Sequence, residues 1–274
     1  MKLLRHGPKG QEKPGLLDAQ GQVRDLSALL PDITPATLSP AGLAALRSVD
    51  LNTLPVVPQG TLAVPWTGIG KFLCIGLNYA DHAAESNLPI PKEPIVFMKP
   101  TSVAVGAHHA VVLPQGSVKS DWEVELGVVI GSVARYVSEA DALKFVAGYC
   151  VINDISEREY QIERGGTWDK GKGCDTFGPI GPWLVTSDEV GDPQDLAMWL
   201  DVNGQRKQTG STKTMIFGVA QLVSYCSRFM TLHPGDVITT GTPPGVGMGA
   251  KPNPVYLKPG DVMTLGIAKL GEQK

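Results

Sequence analysis

The clearest pattern in the chain is an apolar run at residues 126–130, preceded by a segment in which acidic residues occupy alternate positions. An apolar run of this length is typical of a buried strand. Because successive side chains of a strand point to opposite faces, Asp121, Glu123 and Glu125 are predicted to share one face. Like charges held side by side repel each other and are costly to bury unpaired. The pattern therefore indicates either a polar strand edge in solvent or carboxylates that share a cation.

Other parts of the chain predict a mixed α+β fold that is mostly β. Short apolar runs bounded by Gly or Pro predict strands, at residues 71–75, 95–99, 147–153 and 237–240. Capping residues and apolar positions three or four apart predict helices, at residues 40–45, 78–87, 138–145 and 215–230. Ser156 and Glu159 fit a capping box, so a further helix is predicted to begin just after Asp154. Strands predominate, with helices at the periphery.

The N-terminal part has a different character. Residues 1–65 contain short apolar pieces separated by turn signals and end in a connector rich in proline, which predicts a small N-terminal domain. Residues 66–274 are predicted to form the main domain. The 32 glycines and 22 prolines agree with many turns and short strands.

Charge and composition exclude several classes of function. The net charge is −3 with both signs interspersed, so neither a nucleic-acid footprint nor a polybasic membrane patch is expected. No signal peptide and no membrane-spanning segment is expected either. The four cysteines are scattered without a C-x-x-C pair, which predicts free thiols in a reducing compartment, the cytoplasm.

Asp154, predicted at the end of a strand, is positioned to complete a site of three carboxylates with Glu123 and Glu125. Its alternative role is that of a residue at the entry of a helix. Carboxylate oxygens are hard ligands, which favours Mg²⁺, Mn²⁺ or Ca²⁺ over zinc. Three carboxylates around Mg²⁺ leave about three positions for water or a chelating substrate.

Several polar residues are candidates for chemistry beside such an ion. His82 and Glu85, three positions apart on a predicted helix, form either an acid/base pair or an ordinary solvated surface. Lys172 is predicted to neutralise an anionic substrate, unless it is a surface lysine. Arg158 is a candidate for binding a substrate carboxylate, or it pairs with nearby glutamates. The same two interpretations apply to Lys99. Asp121 remains a possible additional ligand.

Taken in order, these segments resemble the fumarylacetoacetate hydrolase superfamily from Phe72 to the end of the chain. The resemblance rests on six short stretches, at residues 75–82, 97–100, 121–126, 148–158, 172–179 and 235–243. Enzymes of the animal type have an additional aspartate ligand ahead of the histidine and a different spacing. This chain has Asn78 and Tyr79 there and is similar to the smaller, acylpyruvase-like branch.

The resemblance implies a β-roll or sandwich fold, usually a homodimer, with Mg²⁺ (or Mn²⁺ or Ca²⁺) bound by Glu123, Glu125 and Asp154. It implies that His82 and Glu85 activate a water molecule. It also implies that further residues face the metal or the substrate, namely Lys172, Arg158, Gln161, Lys99, Thr242 and Thr176.

The activity implied is hydrolysis of a C–C bond in a 2,4-diketo acid of the acylpyruvate type, giving pyruvate and a carboxylic acid. Within that class the chain is most similar to hydrolases of 2,4-diketo-3-deoxy-L-rhamnonate or -fuconate. The same chemistry also serves oxaloacetate decarboxylases, diacid isomerases and sugar-acid dehydratases, and relatives are often named ureidoglycolate lyases. A domain that holds a purely structural ion is the non-enzymatic alternative.

Overall fold

A computed structural model describes residues 1–58, 60–85 and 87–274 of the chain. Two positions of the predicted elements, Gln59 in the proline-rich connector and Ser86 in the helix predicted at 78–87, lie outside the described residues. The described residues form eighteen strands: β1 (Lys2–His6), β2 (Lys13–Leu17), β3 (Val23–Asp25), β4 (Val56–Val57), β5 (Phe72–Gly76), β6 (Ile95–Lys99), β7 (Ala104–Gly106), β8 (Ser120–Asp121), β9 (Val124–Ile130), β10 (Val146–Asn153), β11 (Ser156–Glu157), β12 (Gly178–Ile180), β13 (Leu184–Thr186), β14 (Ala197–Val202), β15 (Gln205–Ser211), β16 (Val237–Thr239), β17 (Met263–Ile267) and β18 (Gly271–Gln273).

The helices are short and few. The described α-helices are α1 (Pro40–Arg47), α2 (Ala80–Glu85), α3 (Asp169–Lys172), α4 (Ser187–Val190) and α5 (Val219–Phe229). Short 3₁₀ turns occur at Leu51–Thr53, Thr101–Val103, Ala142–Phe145, Thr212–Thr214 and Gly247–Gly249, and a π-helical turn spans Glu159–Glu163. Among the described residues, no helix has both the length and the apolar character needed to cross a bilayer.

One large mixed sheet organises the molecule, with the strand order β4-β3-β2-β1-β13-β10-β9-β16-β5-β6. β16 pairs with β5 in parallel and with β9 antiparallel, and β12 joins the sheet through β10 and the parallel strand β7. A four-stranded sheet, β15-β14-β17-β18, and the short pair β8-β11 complete the topology. The predicted mixed, mostly β fold is confirmed. The N-terminal strands continue the large sheet through β1 and β13, and the division at residues 65 and 66 stays a prediction.

Strands β9 and β10 are buried along their whole length, and their side chains alternate between two cores. Leu126, Val128 and Ile130 lie in the core that α5 and β14 also enter. Val129 lies in the other core, which α1 enters with Leu43. The apolar run therefore serves both faces of the sheet, as a buried central strand requires.

Local patterns predicted several elements and failed at others. β6 has the predicted bounds, and Ser39 caps α1 by accepting a hydrogen bond from the N–H of Gly42 at 3.1 Å. The helix predicted just after Asp154 is wrong, because Ser156 and Glu157 pair with β8 as strand β11. The Ser156 hydroxyl donates to Glu123 Oε1 at 3.3 Å and is not used as a cap.

Two other predicted helices begin later than their patterns indicated. The helix predicted at residues 138–145 is reduced to the 3₁₀ turn Ala142–Phe145. The amphipathic helix predicted from residue 215 begins at Val219, because Asn78 binds the preceding residues. The Asn78 carbonyl accepts from Ile216 N–H at 2.7 Å, and its side-chain oxygen accepts from Phe217 N–H at 2.8 Å.

Candidate metal centre and active-site cavity

Two paired strands bring three acidic side chains to one buried point. Glu125 lies within β9, Glu123 immediately precedes that strand, and Asp154 follows β10. Because the two strands are antiparallel with Val124 opposite Asn153, the start of one meets the end of the other. The N–H of Asp154 donates to the carbonyl oxygen of Glu123 at 2.9 Å. One carboxylate oxygen from each acid lies within 4.8 Å of the other two, and all three residues are buried.

Two cationic side chains contact this cluster from the side of Glu123. Lys172 Nζ lies 2.9 Å from Glu123 Oε2 and 2.7 Å from Asp154 Oδ2. The guanidinium of Arg158 lies 2.8 Å from Glu123 Oε1. Burial by itself raises the pKa of Glu123, but the charges of Lys172 and Arg158 outweigh burial and hold that pKa well below its usual range. Glu123 is therefore ionised.

Glu125 has the opposite environment. Its Oε2 accepts hydrogen bonds from the Thr239 hydroxyl and from the N–H of Gly241, the latter at 2.8 Å. Burial raises the pKa of Glu125 well above its ordinary value, and the carboxylates of Asp154 and Glu123 raise it further. Without a cation, the cluster therefore favours a proton on Glu125.

Lys99 is enclosed beside Asp154. Its Nζ donates to the carbonyl oxygens of Ile155, Lys172 and Phe177 at 2.9, 2.6 and 3.0 Å. The ammonium also lies 2.7 Å from Asp154 Oδ1, yet that buried oxygen accepts no hydrogen bond, because the three protons of Lys99 are directed at the carbonyls. A buried carboxylate oxygen that has an ion-pair partner but accepts no hydrogen bond, in a set of hard oxygen atoms, fits a divalent cation such as Mg²⁺, Mn²⁺ or Ca²⁺.

The predicted acid/base pair lies on α2. His82 Nδ1 is 3.2 Å from Glu85 Oε2, and the same carboxylate oxygen accepts a hydrogen bond from the N–H of Gly245 at 3.2 Å. A proton on Nδ1, donated to Glu85, leaves Nε2 as the proton acceptor of the imidazole. Both side chains are partly exposed and line the cavity described next.

A cavity of about 850 Å³ joins the pair to the cluster. Its lining includes most of the residues singled out from the sequence: His82, Glu85, Glu123, Glu125, Arg158, Gln161, Lys172 and Thr242. Asp154, Lys99 and Thr176 are not among the lining residues, so Asp154 lies behind Glu123 and Glu125 as part of the buried cluster. Lys99 is 1% exposed, and Thr176 Oγ1 accepts a hydrogen bond from the N–H of Val112 at 2.8 Å. This placement does not favour the predicted contact of Lys99 and Thr176 with substrate.

Asp121 does not join the carboxylate cluster, although alternation along a strand would place it beside Glu123. The alternation fails because β8 ends at Asp121 and β9 begins only at Val124. Asp121 Oδ2 instead accepts a hydrogen bond from Nε of Arg158 at 2.8 Å and lies 2.8 Å from Nη2 of the same guanidinium in an ion pair. Its Oδ1 accepts from the N–H of Gly247 at 2.6 Å. Asp121 therefore joins Arg158 to the loop that follows β16.

The same loop reaches the acid/base pair. Trp122 Nε1 donates to the carbonyl oxygen of Gly245 at 3.1 Å, and the N–H of Gly245 donates to Glu85. Sequence reasoning missed this connection, since Asp121 and Gly247 are 126 positions apart and no local pattern relates them. It also missed the apolar lining residues Ile90, Ile162, Trp168 and Met248.

The chain is similar to known proteins over the range that contains this site. A family profile described as "Fumarylacetoacetate (FAA) hydrolase C-terminal" matches residues 71–274, a range that contains the cluster and the His82–Glu85 pair. A protein from Burkholderia lata, whose name assigns it provisionally to the hydrolases, is 64% identical over 274 residues, with 100% of this chain and 97% of that protein covered.

Solved structures are similar over the whole chain as well. A fumarylacetoacetate hydrolase from the psychrophile Exiguobacterium antarcticum gives a TM-score of 0.88 at 35% identity, with 100% of this chain and 97% of that chain covered. Maleylpyruvate hydrolase from Sphingobium sp. SYK-6, solved with manganese(II) and pyruvate, gives 0.83 at 29% identity with the same coverage. Other similar structures are named as isomerases.

Cation binding is predicted to release a proton from Glu125. Since the pKa of Glu125 is raised in the cation-free cluster, a divalent cation must displace that proton, and affinity should rise with pH until the pH exceeds this pKa. Calorimetric titration with Mn²⁺ in two buffers of different ionisation enthalpy measures the release. Glu125→Gln should bind more weakly and release no proton. Equal heats in both buffers for the wild-type protein would contradict the prediction.

Asp121→Asn is predicted to lower activity as well as stability. Removing one partner of a buried ion pair costs about 3–5 kcal/mol of unfolding free energy, and here it also frees Arg158 and the loop beside Glu85. Asp236→Asn is the matched control, because buried Asp236 pairs with Lys71 at 3.0 Å and is not a cavity residue. Both variants should unfold at lower urea concentration, and only Asp121→Asn should lose turnover, at least tenfold per folded molecule. Equal turnover in the two variants would refute this role of Asp121.

Proposed function

The chain belongs to the fumarylacetoacetate hydrolase family, and on that premise we propose that it is a metal-dependent hydrolase of 2,4-diketo acids. The reaction breaks the C3–C4 bond of an acylpyruvate and yields pyruvate and a carboxylic acid. The observation that carries the proposal is that two carboxylates of the buried cluster, Glu123 and Glu125, and the His82–Glu85 pair line one cavity. A purely structural ion would need no proton acceptor beside it.

In this proposal Glu123, Glu125 and Asp154 hold the divalent cation, with Mg²⁺ as first choice and Mn²⁺ or Ca²⁺ as alternatives. When bound, the cation supplies Lewis-acid stabilisation of the negative charge that develops on the keto acid. The complex of maleylpyruvate hydrolase with manganese(II) and pyruvate supports this pairing of a divalent cation with a keto acid.

His82 takes the proton of the attacking water. Glu85 keeps Nδ1 protonated, so Nε2 accepts that proton while the water oxygen bonds to the C4 carbonyl carbon of the substrate. When the C3–C4 bond breaks, its electron pair stays on C3 as the enolate of pyruvate, and C4 becomes the carboxyl carbon of the released acid. His82 then returns a proton to C3, which completes pyruvate and restores the free imidazole.

The cationic side chains neutralise the charge that this cleavage creates. Lys172 lies within hydrogen-bonding distance of Glu123 and Asp154 and is proposed to stabilise the enolate. Arg158 and Gln161, joined by a hydrogen bond of 3.0 Å, are proposed to contact the substrate carboxylate. The Thr242 hydroxyl donates to Val124 O at 2.9 Å and is proposed to support the cavity wall. Lys99 is proposed to hold Asp154 in place.

We also propose that the enzyme is a homodimer of the cytoplasm, with a small N-terminal domain (residues 1–65) and a catalytic domain (residues 66–274). Three free cysteines are buried, which supports a reducing compartment, and the family profile begins at residue 71, which supports the domain division. Light scattering coupled to size-exclusion chromatography measures the oligomeric state.

The narrower substrate candidates are 2,4-diketo-3-deoxy-L-rhamnonate and -fuconate, which would give pyruvate and lactate. The same residues would also support decarboxylation of oxaloacetate, dehydration of sugar acids or lysis of ureidoglycolate. Isomerisation of an unsaturated diacid has the additional support of similar structures that are named as isomerases. Pyruvate release from acetylpyruvate, measured beside CO₂ release from oxaloacetate and isomerisation of an unsaturated diacid, separates these activities.

His82→Asn is predicted to lower kcat for acetylpyruvate by about 10²–10⁴-fold, the usual contribution of a general base, with Mn²⁺ affinity unchanged. Glu123→Gln should abolish both cation binding and pyruvate release. His109→Asn, at an exposed histidine outside the lining of the active-site cavity, is the matched control and should leave both measurements unchanged. If cation removal lowered only thermal stability and His82→Asn had wild-type activity, the site would be structural and the proposal would fail.

A further inference from the structure

The cavity lining combines two kinds of side chain. The first kind comprises the carboxylates, the cations and the His82–Glu85 pair described above. The second kind is apolar, and we call five of these residues the apolar shelf: Ile90, Phe97, Ile162, Trp168 and Met248. No part of the proposed reaction uses these side chains, so their role remains to be explained.

The apolar shelf begins directly beside the residue proposed to stabilise the enolate. Lys172 Nζ lies 5.5 Å from the centroid of the Phe97 ring. Phe97 packs edge-to-face against Trp168, with ring centroids 5.2 Å apart and an interplanar angle of 68°. A Cβ atom at Gly76 would lie 2.4 Å from Trp168 Cζ3, so only glycine lets the indole ring occupy this position. An aromatic surface therefore leads away from the reacting centre.

The outer part of the shelf is exposed. Ile90 is 60% exposed, Ile162 is 50% exposed and Met248 is 38% exposed. Single exposed apolar side chains are normal on protein surfaces. These three come from separate segments of the chain and converge on one cavity, which is the pattern of a ligand-binding groove.

We propose that the acyl group of the substrate is apolar and longer than acetyl, and that it binds along the apolar shelf. This inference rests on the proposed function, because it specifies the chemical class of the acyl group, which the proposed reaction leaves open. The cavity volume, about 850 Å³, is near the upper end of the roughly 300–1,000 Å³ that hold drug-sized ligands. A hydroxylated chain would lose hydrogen bonds to water against this wall, so sugar-derived diketo acids are disfavoured.

Dicarboxylic substrates are the competing class. Lys92 and Lys251 also line the cavity and are exposed. Pairing with exposed lysines contributes little to binding, because water and salt screen the charges. Covering aromatic and aliphatic side chains with an apolar chain contributes in proportion to the area buried. The balance therefore favours an alkyl or aryl group over a second carboxylate.

The first experiment compares acylpyruvates from acetyl to hexanoyl. Because each buried CH₂ contributes about 0.8 kcal/mol, kcat/KM is expected to rise about fourfold per added CH₂. Ile162→Ser should reduce this increment, so the variant should lose more kcat/KM for hexanoylpyruvate than for acetylpyruvate. Leu143→Ser is the matched control, since Leu143 is 43% exposed and does not line the cavity. It should keep the wild-type increment.

The second experiment needs no turnover. Calorimetry in Mg²⁺ measures binding of 2-oxo acids from pyruvate to 2-oxooctanoate, for which affinity should rise with chain length and less steeply in Ile162→Ser. If acetylpyruvate is cleaved but neither kcat/KM nor affinity rises with chain length, the inference fails and the proposed function stands. A preference for a terminal carboxylate or for hydroxylated chains of equal length also overturns the inference. If longer 2-oxo acids bind more tightly while no acylpyruvate is cleaved, the proposed function fails. The apolar shelf would then still be supported as a binding site for apolar chains.

Discussion

Three carboxyl groups buried at one point are the constraint on which the rest of this structure depends. Burying an ion costs several kcal/mol unless partners of opposite charge compensate it. The surrounding cations, Lys99, Lys172 and Arg158, compensate only in part, because a fourth carboxylate, that of Asp121, takes a share of Arg158. A hard divalent cation bound by the three carboxyl groups would complete the compensation. The strands, the loop after β16 and the cavity are arranged around that requirement.

The two halves of the site differ in how firmly they are held. β9 and β10 are buried on both faces, so a shift of one residue in their register would exchange core side chains between faces and is strongly disfavoured. The carboxylate cluster is therefore rigid. His82 and Glu85 lie on a short, partly exposed helix, and Gly245 connects them to that framework through Glu85 and Trp122. The fold thus combines a fixed set of carboxyl groups with an imidazole that is partly exposed to solvent.

Patterns within short stretches predicted much of this arrangement. The alternation before β9 placed Glu123 and Glu125 together, and the strand before Asp154 brought the third carboxylate to them. Contacts between distant segments were beyond such reasoning. Asp121 follows the same alternation as Glu123 and Glu125, yet the break between β8 and β9 directs it to Arg158. The residues of the apolar shelf likewise come from segments that share no local sequence pattern. Their convergence on one cavity could be recognised only in the folded structure.

The most direct test of the central claim is a crystal structure of the protein with Mn²⁺, with diffraction recorded on both sides of the manganese absorption edge. The account predicts one anomalous peak at coordination distance, about 2.0–2.6 Å for hard cations with oxygen ligands, from carboxylate oxygens of Glu123, Glu125 and Asp154. An ion bound elsewhere, or three carboxylates that stay paired only with Lys172 and Arg158 at saturating Mn²⁺, would contradict it.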